Sequence, residues 1–194
     1  RNLTWECLEG IAKQNGPVTQ DIPRALAVYN TQHDLELNTY PCLEAQVAAL
    51  CDDIAYNSHD IEDGIRAGLF TIDALEPLPL VGAILQQVRK EYGSLDTMRL
   101  THELHRRMIH TMVNDLVTTT RNTLEKQNIE NCDAVRNASS ATASLSDNLL
   151  KDNEVIRKFL MEHMYMHYRV NRMTNKARRV VTALFTFFMG DPPC

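Results

Sequence analysis

No stretch of this chain approaches the roughly 18 consecutive apolar residues of a membrane span, and nothing at its start resembles a signal peptide. A soluble, cytoplasmic protein is therefore expected. Glycine and proline are scarce, seven of each in 194 residues, which excludes low-complexity and collagen-like chains. The five cysteines (Cys7, Cys42, Cys51, Cys132, Cys194) are odd in number and form no CxxC pair. That argues against a disulfide framework and against a cysteine-held zinc. Sequons at Asn2 and Asn137 carry little weight in a chain of this length. There is no glycine-rich phosphate loop, no Ser-His-Asp or Cys-His arrangement, and no run of period-two alternation.

What remains is ordinary globular composition, 44% hydrophobic and 23% charged, enough for a core without disulfide staples. The net charge of −5 excludes a general nucleic-acid binder. The charge is also uneven. Residues 1–97 carry 15 acidic against 6 basic side chains, and residues 98–194 carry 10 against 14. The plain reading is solvated faces; the sharper one is an acidic, metal-holding half beside a basic, anion-holding half.

The few helix breakers divide the chain into helix-length pieces. A first helix is expected from about Thr4, as N-cap, to Gln14, before Asn15-Gly16-Pro17. After Pro41, Leu43, Val47, Leu50 and Ile54 recur at helical spacing. Further helices are expected over about Leu80–Tyr92, Thr97–Lys126, Leu149–His167 and Asn171–Met189, the last stopped by Gly190 and followed by Pro192-Pro193. Asn131–Ser146 reads as an irregular connection. The expected fold is all-α, a multi-helix bundle of six to eight helices.

The most unusual segment is Cys51–Gly64, with five acidic side chains between Asp52 and Asp63. At about 100° per residue, Asp52, Tyr56 and Asp60 lie within an arc of about 80° on one helix face. Stacked like charges repel, so a divalent cation, a cationic neighbour or a ligand would relieve them. An acidic face that only aids solubility is the competing reading. Arg99, His102, Arg106 and His110 share one side of the long helix and suggest a cationic wall for phosphates, Arg106 above all. Met161, Met164 and Met166 with Tyr165 and Tyr168 read as packing rather than a nucleobase pocket. Lys176, Arg178 and Arg179 read as surface. Trp5 reads as core and Cys51 as a small buried hydrophobe. His163 and His167 have metal-compatible spacing but no carboxylate cluster beside them.

The stretch Asp52-Asp53-Ile54-Ala55-Tyr56-Asn57-Ser58-His59-Asp60 resembles the last motif of the bacterial deoxyguanosinetriphosphate triphosphohydrolase-like proteins, a branch of the HD-domain phosphohydrolases. Flanking stretches resemble them too: Asn2–Glu6, Leu8–Ile11, Asn15-Gly16-Pro17, Leu43–Leu50, His102-Glu103-Leu104 with Arg106-Arg107, Val113–Leu116, and Phe159-Leu160 with Met164-Tyr165. Gln14 stands where the family usually has His, and Cys51 where it has Ala. The resemblance implies an HD-domain-like bundle, about 1–126 its remaining core and about 127–194 a helical extension. It implies attack of a metal-activated water on the α-phosphorus of a deoxynucleoside triphosphate, releasing deoxynucleoside and triphosphate. Asp52 then corresponds to the final metal ligand, and Tyr56 and Asp60, with Asp53, to substrate-holding positions. A homo-oligomer is implied as well.

The family's earlier His, His-Asp pair and catalytic His- and Glu-containing stretch have no counterpart before Asp52. His33-Asp34 continues as Leu35-Glu36-Leu37, not as the family's Gly-His pattern. The chain is therefore expected to be the C-terminal part of a longer enzyme, with no catalytic acid or base of its own. It would be inactive alone and would not retain Mg²⁺ or Mn²⁺, since one carboxylate holds a hard cation weakly. The rival readings are a non-catalytic helical interaction or oligomerisation module, and an HD phosphohydrolase acting on another nucleotide.

Overall fold

A computed structural model describes residues 3–190, so Arg1, the Asn2 sequon, Pro192-Pro193 and Cys194 lie outside the described residues. Among these residues there are helices and turns and no strand, as expected for an all-α bundle. The elements are α1 (Trp5–Ala12), α2 (Arg24–Gln32), α3 (Leu43–Arg66), a 3₁₀ turn (Ile72–Leu75), α4 (Pro79–Tyr92), α5 (Thr97–Lys126), α6 (Cys132–Arg136), α7 (Asp147–Leu160), a π-helical turn (Met161–Tyr165) and α8 (Tyr168–Gly190). No described helix is long and apolar enough to cross a membrane.

The starts of the helices are set by short polar side chains that take up otherwise unpaired backbone N–H groups. Thr4 caps α1, Asp96 Oδ1 accepts from the Arg99 amide at 3.0 Å, and Asn131 Oδ1 accepts from the Ala134 amide at 2.9 Å. Ser146 caps α7, and its own amide donates to Asp115 Oδ2 at 2.7 Å, pinning the start of α7 to α5. Pro79 opens α4, where its missing N–H costs nothing.

The core lies where α3, α4, α5 and α7 meet. The stripe of α5 (Leu100, Leu104, Met108, Met112, Leu116) is buried as its spacing requires. It faces Leu80, Val81, Ile84, Leu85 and Val88 of α4, Ile54 and Ile61 of α3, and Ile156 and Leu160 of α7. Each fully buried aliphatic chain contributes roughly 1.5–3 kcal/mol. Close approach of backbones also matters. A methyl group at Gly82 would overlap the Glu76 carbonyl oxygen, a backbone atom that cannot rotate away. Gly82→Ala is therefore expected to cost about 1–3 kcal/mol, as overpacking does. Urea denaturation checks this; unchanged stability would mean that the turn before α4 shifts freely.

Three expectations are corrected. Asn131–Ser146 is not wholly irregular, because Asn131 nucleates the five-residue α6. The rest of that connection is held by Gln46, whose Oε1 accepts from the Thr142 and Ala143 amides at 2.8 and 3.1 Å. The helix expected over Leu149–His167 loses α-helical register after Leu160, and the next helix starts at Tyr168 rather than Asn171. Trp5 is half-buried rather than core: its Nε1 donates to the Asp34 carbonyl at 2.7 Å and its ring lies under the Arg136 guanidinium. Cys51 is half-buried against the core.

Candidate functional site

Two helices build the site. α3 runs 24 residues, and its only glycine, Gly64, stands near its end. Its buried face, with Ile54 and Ile61, fixes its rotation, so Asp52, Asp53 and Tyr56 turn outward. α7 crosses beside it, and a buried hydrogen bond from Asn57 Nδ2 to Asn153 Oδ1, 2.9 Å long, locks the two together. From Asn153 the same side of α7 continues through Arg157 and Met161. The π-helical turn then carries Tyr165 onto that side. An extra residue per turn re-aims a side chain in this way, and such turns recur at functional sites.

The result is a cleft of about 300 Å³ lined by Asp52, Asp53, Tyr56, Asn57, Arg157, Met161 and Tyr165. That is at the lower end for small-molecule sites. Two carboxylates, Asp52 and Asp53, and one guanidinium, that of Arg157, thus line the cleft among the described residues. The Tyr56 and Tyr165 rings face each other with centroids 6.5 Å apart, tilted by 32°. Tyr165 donates its hydroxyl proton to Asp60 Oδ2. Burial, then this bond to Asp60 and the neighbouring Tyr56, push the Tyr165 phenol well above the ordinary tyrosine range. The phenol therefore stays protonated and remains a donor at any physiological pH.

Of the residues singled out in the sequence, Asp52, Asp53 and Tyr56 meet in this cleft, and Asp60 reaches it through Tyr165. Asp52 has no hydrogen-bond or ion-pair partner among the described residues. Its oxygens are free, which suits one ligand of an oxygen-preferring dication. Asp52 belongs to no cluster of three close donors among the described residues. Arg106 is not brought to the cleft. It sits on α5, bound to Glu103 at 2.7 Å, while Arg107 binds Glu91 at 2.6 Å. His163 stacks on Phe159, with ring centroids 4.2 Å apart. His33 packs on Tyr29, and Asp34 accepts from the Glu36 amide.

The far wall of the cleft escaped the sequence reading. The sequence pattern assigns Met161 and Tyr165 to packing, and Arg157 carries no signal beyond lying one turn after Asn153. The i, i+4, i+8 repeat of Arg157, Met161 and Tyr165 was the available hint. Read as a helix face, it lies opposite the acidic face of α3.

Residues 143–194 match the phosphohydrolase-associated domain. Proteins named deoxyguanosinetriphosphate triphosphohydrolase-like are similar over nearly the whole chain. The one from Parvibaculum lavamentivorans is 48% identical over 98% of this chain and 50% of its own length. The one from a Caulobacter species is 45% identical over 98% and 50%, and that from Azorhizobium caulinodans 44% over 98% and 51%. The chain thus spans about half the length of the curated relatives it matches. With 98% of its residues aligned at this level of identity, the chain is similar along nearly its whole length to about half of each of these deoxyguanosinetriphosphate triphosphohydrolase-like proteins.

Proposed function

We propose that the protein carrying this chain hydrolyses deoxynucleoside triphosphates to deoxynucleoside and triphosphate, and that the α3–α7 cleft holds the sugar end of the substrate. The observation that carries this reading is the meeting of Asp52, Asp53 and Tyr56 with Arg157 and Tyr165 in one cleft. It is supported by similarity to proteins whose printed name is that of a triphosphohydrolase.

A divalent metal held in part by Asp52 would supply the activated water. The chain's own residues bind and orient. Asp60, with one oxygen engaged by Tyr165, keeps a second oxygen to accept from a sugar hydroxyl. The paired tyrosine rings offer flat apolar surface to a deoxyribose. A 2′-hydroxyl buried against them without a partner would cost about 1–3 kcal/mol, which favours deoxyribonucleotides. Arg157 is the cation placed to meet a phosphate oxygen, with its fork geometry. Asp53, exposed at the cleft rim, adds negative charge on the metal side. Alone, the chain is expected to be silent.

The test is triphosphate release from each of the four deoxynucleoside triphosphates, with Mn²⁺ or Mg²⁺, by the full-length protein and its Tyr165→Phe variant. Tyr165→Phe frees Asp60 and loses a bond to a charged acceptor, so KM should rise about tenfold with kcat little changed. Inorganic phosphate as the product, or no turnover of any of the four, would overturn the reading. The homo-oligomer is proposed on a separate observation: α8 exposes Leu184, Phe185, Phe187 and Phe188, an apolar surface that a second copy would cover.

A further inference from the structure

A second constellation lies where α3 packs on α5, just beyond the cleft-lining Asn57. His59 and Glu62 are three residues apart on α3, and His102 and His105 are three apart on α5. Residues at that spacing share a helix face. Where α3 and α5 pack, the two faces meet. One donor atom each from His59, Glu62 and His105 lies within 4.8 Å of the others. Glu62 Oε2 is 3.6 Å from His105 Nδ1, and its Oε1 is 3.8 Å from His102 Nδ1. The His59 and His105 rings have centroids 4.6 Å apart. His105 Nδ1 also lies 3.3 Å from the Ser58 carbonyl oxygen. The lone pair of Nδ1, the ring atom beside Glu62, is free for a metal in the tautomer that carries its proton on Nε2.

We propose that His59, Glu62 and His105 form a binding site for a transition-metal dication of the Zn²⁺ class, separate from the carboxylate of Asp52. Paired, facing helices are where bundles build such sites, each helix giving ligands one turn apart. Two imidazoles and one carboxylate select Zn²⁺ or Co²⁺ over Mg²⁺ or Ca²⁺, which want oxygen. Three protein ligands leave a fourth position for water. Donors around a tetrahedral Zn²⁺ stand about 3.3–3.5 Å apart, so a spread of up to 4.8 Å must close by about 1.4 Å. His59 is exposed, and a side-chain rotation supplies that movement. Glu62 also pairs with Arg66 at 3.2 Å, but Arg66 is largely exposed. Such a pair contributes at most about 1 kcal/mol and yields readily to a metal. The competing account is an interhelical His–Glu ion pair with no affinity for metal.

The deciding experiment titrates the metal-stripped full-length protein with Co²⁺ alone, follows the visible ligand-field bands, and then displaces Co²⁺ with Zn²⁺. His59→Ala and Glu62→Gln should each weaken Co²⁺ binding at this site by at least about tenfold. His59 is exposed and Glu62→Gln keeps the side chain's size, so the fold should persist, as far-ultraviolet dichroism would verify. Asp52→Ala should leave these bands in place. Bands that persist with unchanged affinity in both His59→Ala and Glu62→Gln would overturn the proposal, as would bands lost in Asp52→Ala or absent from the wild type.

Discussion

Replacing Lys13 by alanine should remove about 3–5 kcal/mol of stability, a large share of the 5–15 kcal/mol that holds an ordinary domain together. Lys13 and Glu9 are both fully buried, one turn apart on α1, with Nζ 2.8 Å from Oε2. Lys13 also donates to the Glu36 carbonyl, Thr39 Oγ1 and the Tyr40 carbonyl at 2.9–3.3 Å. The other oxygen of Glu9 accepts from the Cys42 amide at 3.1 Å and from Arg136 Nε at 3.2 Å. This cluster joins α1, the 36–42 turn, the start of α3, and α6. Within a buried cluster the charges are tolerable only together. Deleting Lys13 leaves Glu9 buried with the Arg136 guanidinium as its one remaining charge partner, and frees three acceptors. The double variant Glu9→Gln, Lys13→Met, with no buried carboxylate left, should lose less than Lys13→Ala alone. Urea denaturation followed by helical dichroism reads both. A loss below about 1 kcal/mol for Lys13→Ala would show that water reaches the cluster and that its burial contributes little.

The same cluster shows why parts of the structure were illegible in the sequence. On a helical wheel Lys13 is one more charge on an amphipathic helix. The partner that makes its burial bearable is Arg136, 127 residues from Glu9, and no local pattern announces it. α5, by contrast, was legible from Thr97 to Lys126, because its apolar residues recur at helical spacing between an Asp cap and a polar end. α2 was not, since it buries none of its residues and so carries no stripe to read.

The candidate site divides along the same line. The face of Asp52, Tyr56 and Asp60 follows from spacing within one helix. The wall opposite them depends on Tyr165, 105 residues beyond Asp60, and on the packing of α7 against α3, which the spacing within neither helix announces. The metal-binding constellation proposed for His59, Glu62 and His105 depends in turn on the packing register of α3 on α5. His59 and His105 are 46 positions apart, and no local spacing relates them.

Asp52→Ala should lower triphosphate release by the full-length protein at least about a thousandfold while leaving its fold intact. Loss of a metal ligand removes several kcal/mol of transition-state stabilisation, and each 1.36 kcal/mol is about tenfold in rate. The fold should survive because Asp52 is exposed and has no partner among the described residues, so nothing buried is left unpaired. That separation of effects gives the test its force. An acidic face that serves only solubility would show neither change, and a merely structural Asp52 would lose stability and activity together. Asp53→Asn, one residue away on the same rim, removes a charge from the cleft without removing the proposed ligand. It should cost far less activity than Asp52→Ala. Equal losses at the two positions would mean that the cleft acts through its summed negative charge, and the assignment of Asp52 as a metal ligand would fall.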